Sequence, residues 1–384
     1  MRAVAEEALR CCAQLLFSNV ENRRRLAAAG VAEAIVDVLQ IRGIHNPAVS
    51  GAGLRAIANL AFDDENRARL GNSSVSTVIV HLLEKHGLTN PFVAVAGMRA
   101  IASLLYNNDI INAKLGDANA CSTVVTLVRR HAPNDTSFAE DGLSAIANLS
   151  INEENRIRLG KARWVVSTCP LLSALLTVFL LWPALENYST VPLILTSYIF
   201  FHFSACDVIV NITSKHGLYE KKIAIAGLHA IKNLACDFDN QELLGTADVS
   251  TLLVSLLQAH GLDDADFALT VYGAMVVVVK NNKDNKMRLG LAGICEVWVM
   301  LLQCHGAVNI NTAVHGLDAI TMLVNDNNKN LTTARKCGAL GKMDYLYVLL
   351  MRHNCISLLI NQLLISCIDS ICSPTQREVL LFLT

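Results

Sequence analysis

The sequence predicts an all-α solenoid built from tandem helical modules, on the evidence of two repeating signals and the composition. A stretch reading GLRAIANLAFDDENRARLG from Gly53 returns as GMRAIASLLYNNDIINAKLG from Gly97, GLSAIANLSINEENRIRLG from Gly142 and GLHAIKNLACDFDNQELLG from Gly227. Degraded copies start at Ala8, Gly273 and Gly316. Counted at the asparagine slot of each copy (Asn22, Asn66, Ile111, Asn155, Asn240, Asn285, Asn330), the steps are 44, 45, 44, 85, 45 and 45 residues. All but one fall inside the roughly 40–47-residue period of helical repeat arrays. A second marker keeps the same phase twenty residues after the slot, at Arg42-Gly43, His86-Gly87, His131-Ala132, His260-Gly261 and His305-Gly306.

The composition allows this architecture. At 384 residues and 53% hydrophobic, the chain can bury a large core, as one long array or as two domains. A net charge of −1 lacks the basic excess of a general nucleic-acid or anionic-membrane binder. Twelve cysteines without CxxC spacing read as unpaired, buried thiols in a reducing compartment, cytoplasmic with the nucleus as the alternative. The opening MRAVAEEALRCC has no apolar core of a secretory signal.

One unit runs from Asn46 to Gly87. Asn46-Pro47 reads as an N-cap followed by proline at the first helical position, where the missing N–H costs nothing, and Asn90-Pro91 repeats the device. Val49, Ala52, Ala56, Ile57 and Leu60 then form the apolar stripe of a helix with one buried face. Asp63 and Asp64 cap a short helix carrying Glu65, whose charge suits the positive end of the helix dipole. Val75–His86 follows as a further helix, and His86-Gly87 reads as its end, with the glycine taking a left-handed cap. A short helix and two longer ones per 44 or 45 residues cannot bury their apolar faces alone, so neighbours must share a core.

On these residues the chain resembles the armadillo-repeat family, with repeats of the β-catenin and vacuolar protein 8 type. The resemblance implies a right-handed α-solenoid of about seven repeats, with a concave surface made by the third helices and with partial repeats at both ends. Residues 1–162 and 205–342 are expected to be armadillo repeats, the first opening inside a third helix at Val4–Leu16. Residues 343–384 form a degenerate C-terminal segment, and both abnormal ends read as those of a fragment or truncated gene model of a longer array. Between the two blocks, 163–204 is a hydrophobic insert that carries only Arg163 and Glu186 as charges. Three origins fit it: a membrane hairpin, an insertion packed on the solenoid, or a translated intron. Its run Val165–Trp182 approaches the length of a membrane span, but Val191–Phe203 is too short to cross back. The repeat resumes in register at once, which makes the translated intron the favoured expectation and a membrane role dependent on the insert being real and exposed.

Motifs for catalysis are missing: there is no GxSxG, Walker A, HExxH or GxGxxG signature. The recurring histidines stand one per repeat at helix ends and read as caps, not metal ligands. The acidic clusters at helix starts (Asp63, Asp64, Glu65; Glu153, Glu154; Asp237, Asp239) read as caps too. The site expected is a peptide groove. Six residues after each repeat glycine stand Gln14, Asn59, Ser103, Asn148, Asn233, Val279 and Met322. The armadillo resemblance implies that Asn59, Ser103, Asn148 and Asn233 line the groove and bond the backbone of an extended peptide, a role suited to an amide that both donates and accepts. One turn earlier stand Arg10, Arg55, Arg99, Ser144, His229, Met275 and Asp318. No tryptophan occupies this slot, and Arg10, Arg55, Arg99 and His229 favour an acidic segment.

The function expected is a non-enzymatic scaffold that binds an extended acidic protein segment, without cofactor, metal, nucleic acid or small-molecule substrate. The alternative is the regulatory armadillo portion of a larger enzyme, such as a kinase or ubiquitin ligase.

Overall fold

The computed structural model describes residues 2–162, 204–306 and 309–336. The expected insert, except Ser204, and the degenerate C-terminal segment lie outside the described residues. Among the described residues the elements are helices and turns, with no strand, and the helices recur in threes. The third helices are α1 (Arg2–Leu16), α4 (Pro47–Leu60), α7 (Pro91–Leu105), α10 (Thr136–Leu149), α13 (Lys221–Leu234), α16 (Ala265–Val279) and α19 (Ile310–Val324). Each is followed by a short helix: α2 (Val20–Ala28), α5 (Asp64–Asn72), α8 (Asp109–Asp117), α11 (Glu153–Gly160), α14 (Phe238–Thr246), α17 (Lys283–Leu291) and α20 (Asn328–Lys336). The second helices are α3 (Val31–Arg42), α6 (Val75–Leu82), α9 (Ala120–His131), α12 (Ala205–Ile212), α15 (Val249–Leu256) and α18 (Ile294–His305). The chain divides into two compact units, Met1–His131 with Asn152–Val208, and Ala132–Ile151 with Ile209–Thr384. In the first, α1 packs on α4 and α4 on α7; in the second, α10, α13, α16 and α19 pack in succession.

Each short helix starts for the same local reason. Asn19, Asp63, Asn108, Asn152, Asp237, Asn282 and Asn327 accept a hydrogen bond from the backbone N–H three residues on, that of the slot residue. Such a cap contributes about 1 kcal/mol. Asn46 and Asn90 cap the proline-led α4 and α7, accepting from the N–H groups of Ala48 and Val93.

The slot asparagines then join one repeat to the next. Asn66, Asn155, Asn285 and Asn330 are buried. Their Nδ2 atoms donate to the Arg23, Asn112, Gln241 and Lys286 carbonyls at 3.3, 2.8, 2.8 and 3.0 Å, each carbonyl lying one residue past the preceding slot. A glycine makes the room. A Cβ on Gly116, Gly245 or Gly290 would lie 1.7, 1.9 or 1.7 Å from Oδ1 of Asn155, Asn285 or Asn330. At the one slot without an amide, Ile111 fills the space instead, with its Cγ1 2.9 Å from where a Gly71 Cβ would be. A basic side chain three residues after the slot adds a further tie: Arg69, Lys114 and Arg288 donate to the Ala27, Gly71 and Gly245 carbonyls at the ends of the preceding short helices. A cation suits that end of a helix dipole.

The histidine marker works across repeats as well, which corrects its reading as a cap of its own helix. Nε2 of His86 lies 3.1 Å from the Gly43 carbonyl, and those of His131, His216, His260 and His305 lie 2.7–3.0 Å from Gly87, Ala132, Gly217 and Leu262. Facing a carbonyl oxygen, the ring nitrogen donates. The glycines of this marker are not left-handed either: Gly43 has φ −58° and Gly306 φ −59°. Val75–His86 is also not one regular helix, because α6 passes into a π-turn over Leu83–Gly87. The packing there is close, since a Cβ on Gly87 would lie 3.0 Å from Leu127, and the matching position of the next repeat holds the buried Ala132.

Gly245→Ala and Asn285→Ala should each lower stability by about 2–3 kcal/mol, the first by overpacking and the second by orphaning buried carbonyls. Because Asn285 is what the new methyl meets, the double variant should be less destabilised than the two changes added, by about 1 kcal/mol or more. Denaturant titration of the four proteins reads this coupling, and strict additivity would rule out the interlock. His260→Ala should cost about 1–2 kcal/mol by freeing the Gly217 carbonyl. In the parent protein neither zinc nor a chelator should move Tm, whereas a metal-dependent shift would reinstate a ligand role.

Candidate functional site

The expected groove residues sit on the third helices, and each unit presents them differently. In the first unit, Arg10, Arg55 and Arg99 are exposed at equivalent positions of α1, α4 and α7. Arg10 is partly neutralised by Glu6 at 2.8 Å and Glu7 at 3.6 Å. Ser103 is half-buried, and Asn59 is buried with its Nδ2 donating to the Ala13 carbonyl of α1 at 2.8 Å. The amide that was to offer a ligand both donor and acceptor therefore has its Nδ2 engaged within the protein.

In the second unit, Asn148 on α10 and Asn233 on α13 are half-buried. Asn233 repeats the Asn59 bond, its Nδ2 donating to the Ala147 carbonyl at 2.9 Å. Ala13 and Ala147 each stand one residue before the equivalent slot, so this asparagine is a strut between third helices. His229 is exposed on α13, but partial burial and the nearby Lys232 hold its pKa below the ordinary value. It therefore carries less positive charge at neutral pH than an ordinary histidine.

Further along this unit the copy read from Gly273 is out of register by two. In α4, α7, α10 and α19 the repeat glycine stands seven residues after the N-cap, whereas seven residues after Asp264 comes the buried Val271. Helix geometry thus puts Gly273 and Val277 at the two groove slots, and Met275 and Val279 in the core. At the next repeat Asp318 accepts the hydroxyl of Tyr272, whose ring meets Trp298 edge-on at 6.0 Å. Burial, and then the bond to Asp318, push the Tyr272 phenol up. The arginine row is accordingly a property of the first unit.

A second row on that unit escaped the sequence reading. Phe17, Phe62 and Tyr106 are 65%, 66% and 63% exposed, each seven residues after one of the arginines. Arg67 lies over the Tyr106 ring, 5.3 Å from its centroid. The signal was available as an aromatic recurring at 45 and 44 residues, in phase with the repeat.

Elsewhere, a cavity of about 510 Å³ is lined by residues including Gly116, Asp117, Cys121, Arg158 and Lys161. Arg158 pairs there with Asp117 at 2.8 Å and Glu154 at 3.4 Å, and burial pushes the Cys121 thiol up to about 12, which leaves it a poor nucleophile. Among the described residues, no three metal-capable side chains converge, and no single helix is long and apolar enough to cross a membrane.

No protein-family model matches the sequence, and no curated protein is similar to it. Solved structures are similar in fold. An engineered protein superposes with TM-score 0.60 at 17% identity, over 97% of this chain and 85% of its own. A designed armadillo repeat protein gives TM-score 0.51 at 19% identity, over 71% of this chain and 92% of its own. A second engineered protein gives 0.51 at 20% identity, over 72% and 92%. The recurring three-helix module and these likenesses together establish that the chain has the armadillo-type α-solenoid fold.

Proposed function

We propose that this protein is a non-enzymatic scaffold that binds an extended, acidic protein segment across the third helices of its first unit. The observation that carries the reading is the placement of Arg10, Arg55 and Arg99 at one exposed position on helices that pack side by side. Packed helices lie roughly 8–10 Å apart, and a left-handed extended chain, with three residues per turn, rises about 3.1 Å per residue. One ligand carboxylate in three can thus meet each arginine. Ser103 and the remaining acceptor capacity of Asn59 border the same path. Asn148, Asn233 and His229 take a lesser part, because Asn233 has its Nδ2 engaged as a strut and His229 is a weaker cation than an arginine.

Arg55→Glu with Arg99→Glu should abolish binding of a fluorescein-labelled peptide of four Glu-Ser-Ser repeats, with helicity and Tm unchanged. Binding to the parent chain should weaken steadily as salt rises from about 0.05 to about 0.5 M, because exposed charges are screened over that range. Anisotropy titration reads both. Affinity that ignores the two substitutions and the salt would refute the site. Asn59→Ala should lower stability by about 1–2 kcal/mol through the orphaned Ala13 carbonyl, which calorimetry measures.

A further inference from the structure

The charge of the arginine row selects acids but says nothing of the aromatic row beside it. Phe17, Phe62 and Tyr106 follow Arg10, Arg55 and Arg99 by seven residues, so each arginine on a third helix is matched by an aromatic just past that helix's C-terminal end, about two turns or about 10 Å further along. Phe17 and Tyr106 stand one residue beyond α1 and α7, and the next residue of each, Ser18 and Asn107, has φ near +50°. That left-handed step turns the chain away from the helix axis towards the next cap. Large apolar side chains left this exposed at three successive repeats are unusual unless something covers them. The acids Asp64 and Glu65 that follow Phe62 are already paired with Arg67 and Arg69.

We infer that the first unit reads a segment of mixed chemistry, in which acidic side chains meet the arginine row and apolar side chains meet the aromatic row. This rests on the peptide-scaffold reading and adds the ligand's apolar component and its period. A left-handed extended segment has three residues per turn and advances about 9.3 Å per turn, close to the 8–10 Å between packed helices. A period of three therefore presents the same side chain to every repeat. The occupant is an extended segment with one acid and one aliphatic or aromatic residue in each three.

The test uses the full chain and two labelled peptides, four repeats of Glu-Ser-Leu and four of Glu-Ser-Ser. The leucine peptide should bind at least about tenfold more tightly, the advantage expected for even one apolar side chain taken out of water. The combined variant Phe17→Ser, Phe62→Ser, Tyr106→Ser should bring the two peptides to equal affinity, with binding of the Glu-Ser-Ser peptide and Tm unchanged. Equal affinity of the two peptides for the parent chain, still abolished by Arg55→Glu with Arg99→Glu, would overturn the aromatic row and leave the arginine site standing. Failure of both peptides to bind would overturn both readings. A parent dimer that the triple variant converts to monomer would assign the row to contact between copies and overturn the proposal.

Discussion

The repeats are joined above all by an asparagine that reaches back one repeat and, at Asn155, Asn285 and Asn330, by the glycine that gives it room. The side chain of Asn285 satisfies two buried carbonyls, one in its own repeat at Val278 and one in the preceding repeat at Gln241. Neither partner has water available, so losing the bond would cost the desolvation of a bare carbonyl and not merely one net hydrogen bond. Gly245 cannot carry a side chain while Asn285 is in place. Histidine ties cross the same repeat boundaries from other helices, and basic ties cross them from the same short helices. A module that must borrow donors from its neighbour is marginal alone, which gives a physical reason for the near-constant step of 44 or 45 residues. Slips of one residue are absorbed between third and short helix by left-handed residues such as Ser18, Asn107, Asn281 and Asp326.

The same frame makes a row of functional side chains out of a single repeated position. Once the third helices are held at fixed spacing, one exposed residue per helix becomes a ladder whose chemistry is set by substitution alone. In the first unit that position is arginine three times over. In the second it passes through Ser144 and His229 to an Asp318 already occupied by Tyr272. The fold thus supplies spacing, and the side chains supply selectivity, so likeness of fold to designed repeat proteins carries no information about this chain's ligand.

Much of the fold was legible because its determinants are local. The period, the N-caps at Asn19, Asp63 and Asn152, and the proline-led starts of α4 and α7 are all written within a few residues of one another. Bonds that span 43 to 46 residues were not legible in the same way. His86 looks like a helix end in sequence, and only the neighbouring repeat shows that it donates to Gly43. Asn59 resembles a ligand-binding amide until Ala13 is seen opposite it. The copy at Gly273 is misleading because its glycine lies two residues past the repeat position, which Val271 occupies seven residues after the Asp264 cap. Phe17, Phe62 and Tyr106 were overlooked because exposed aromatics look like core residues when burial is unknown.

Native-state hydrogen exchange on the Asn285→Ala variant tests most directly whether repeats hold one another in place. If the asparagine couples them, protection should fall together in Phe238–Thr246 and Lys283–Leu291, the two short helices it joins. Loss confined to Lys283–Leu291, with Phe238–Thr246 as protected as before, would contradict the account.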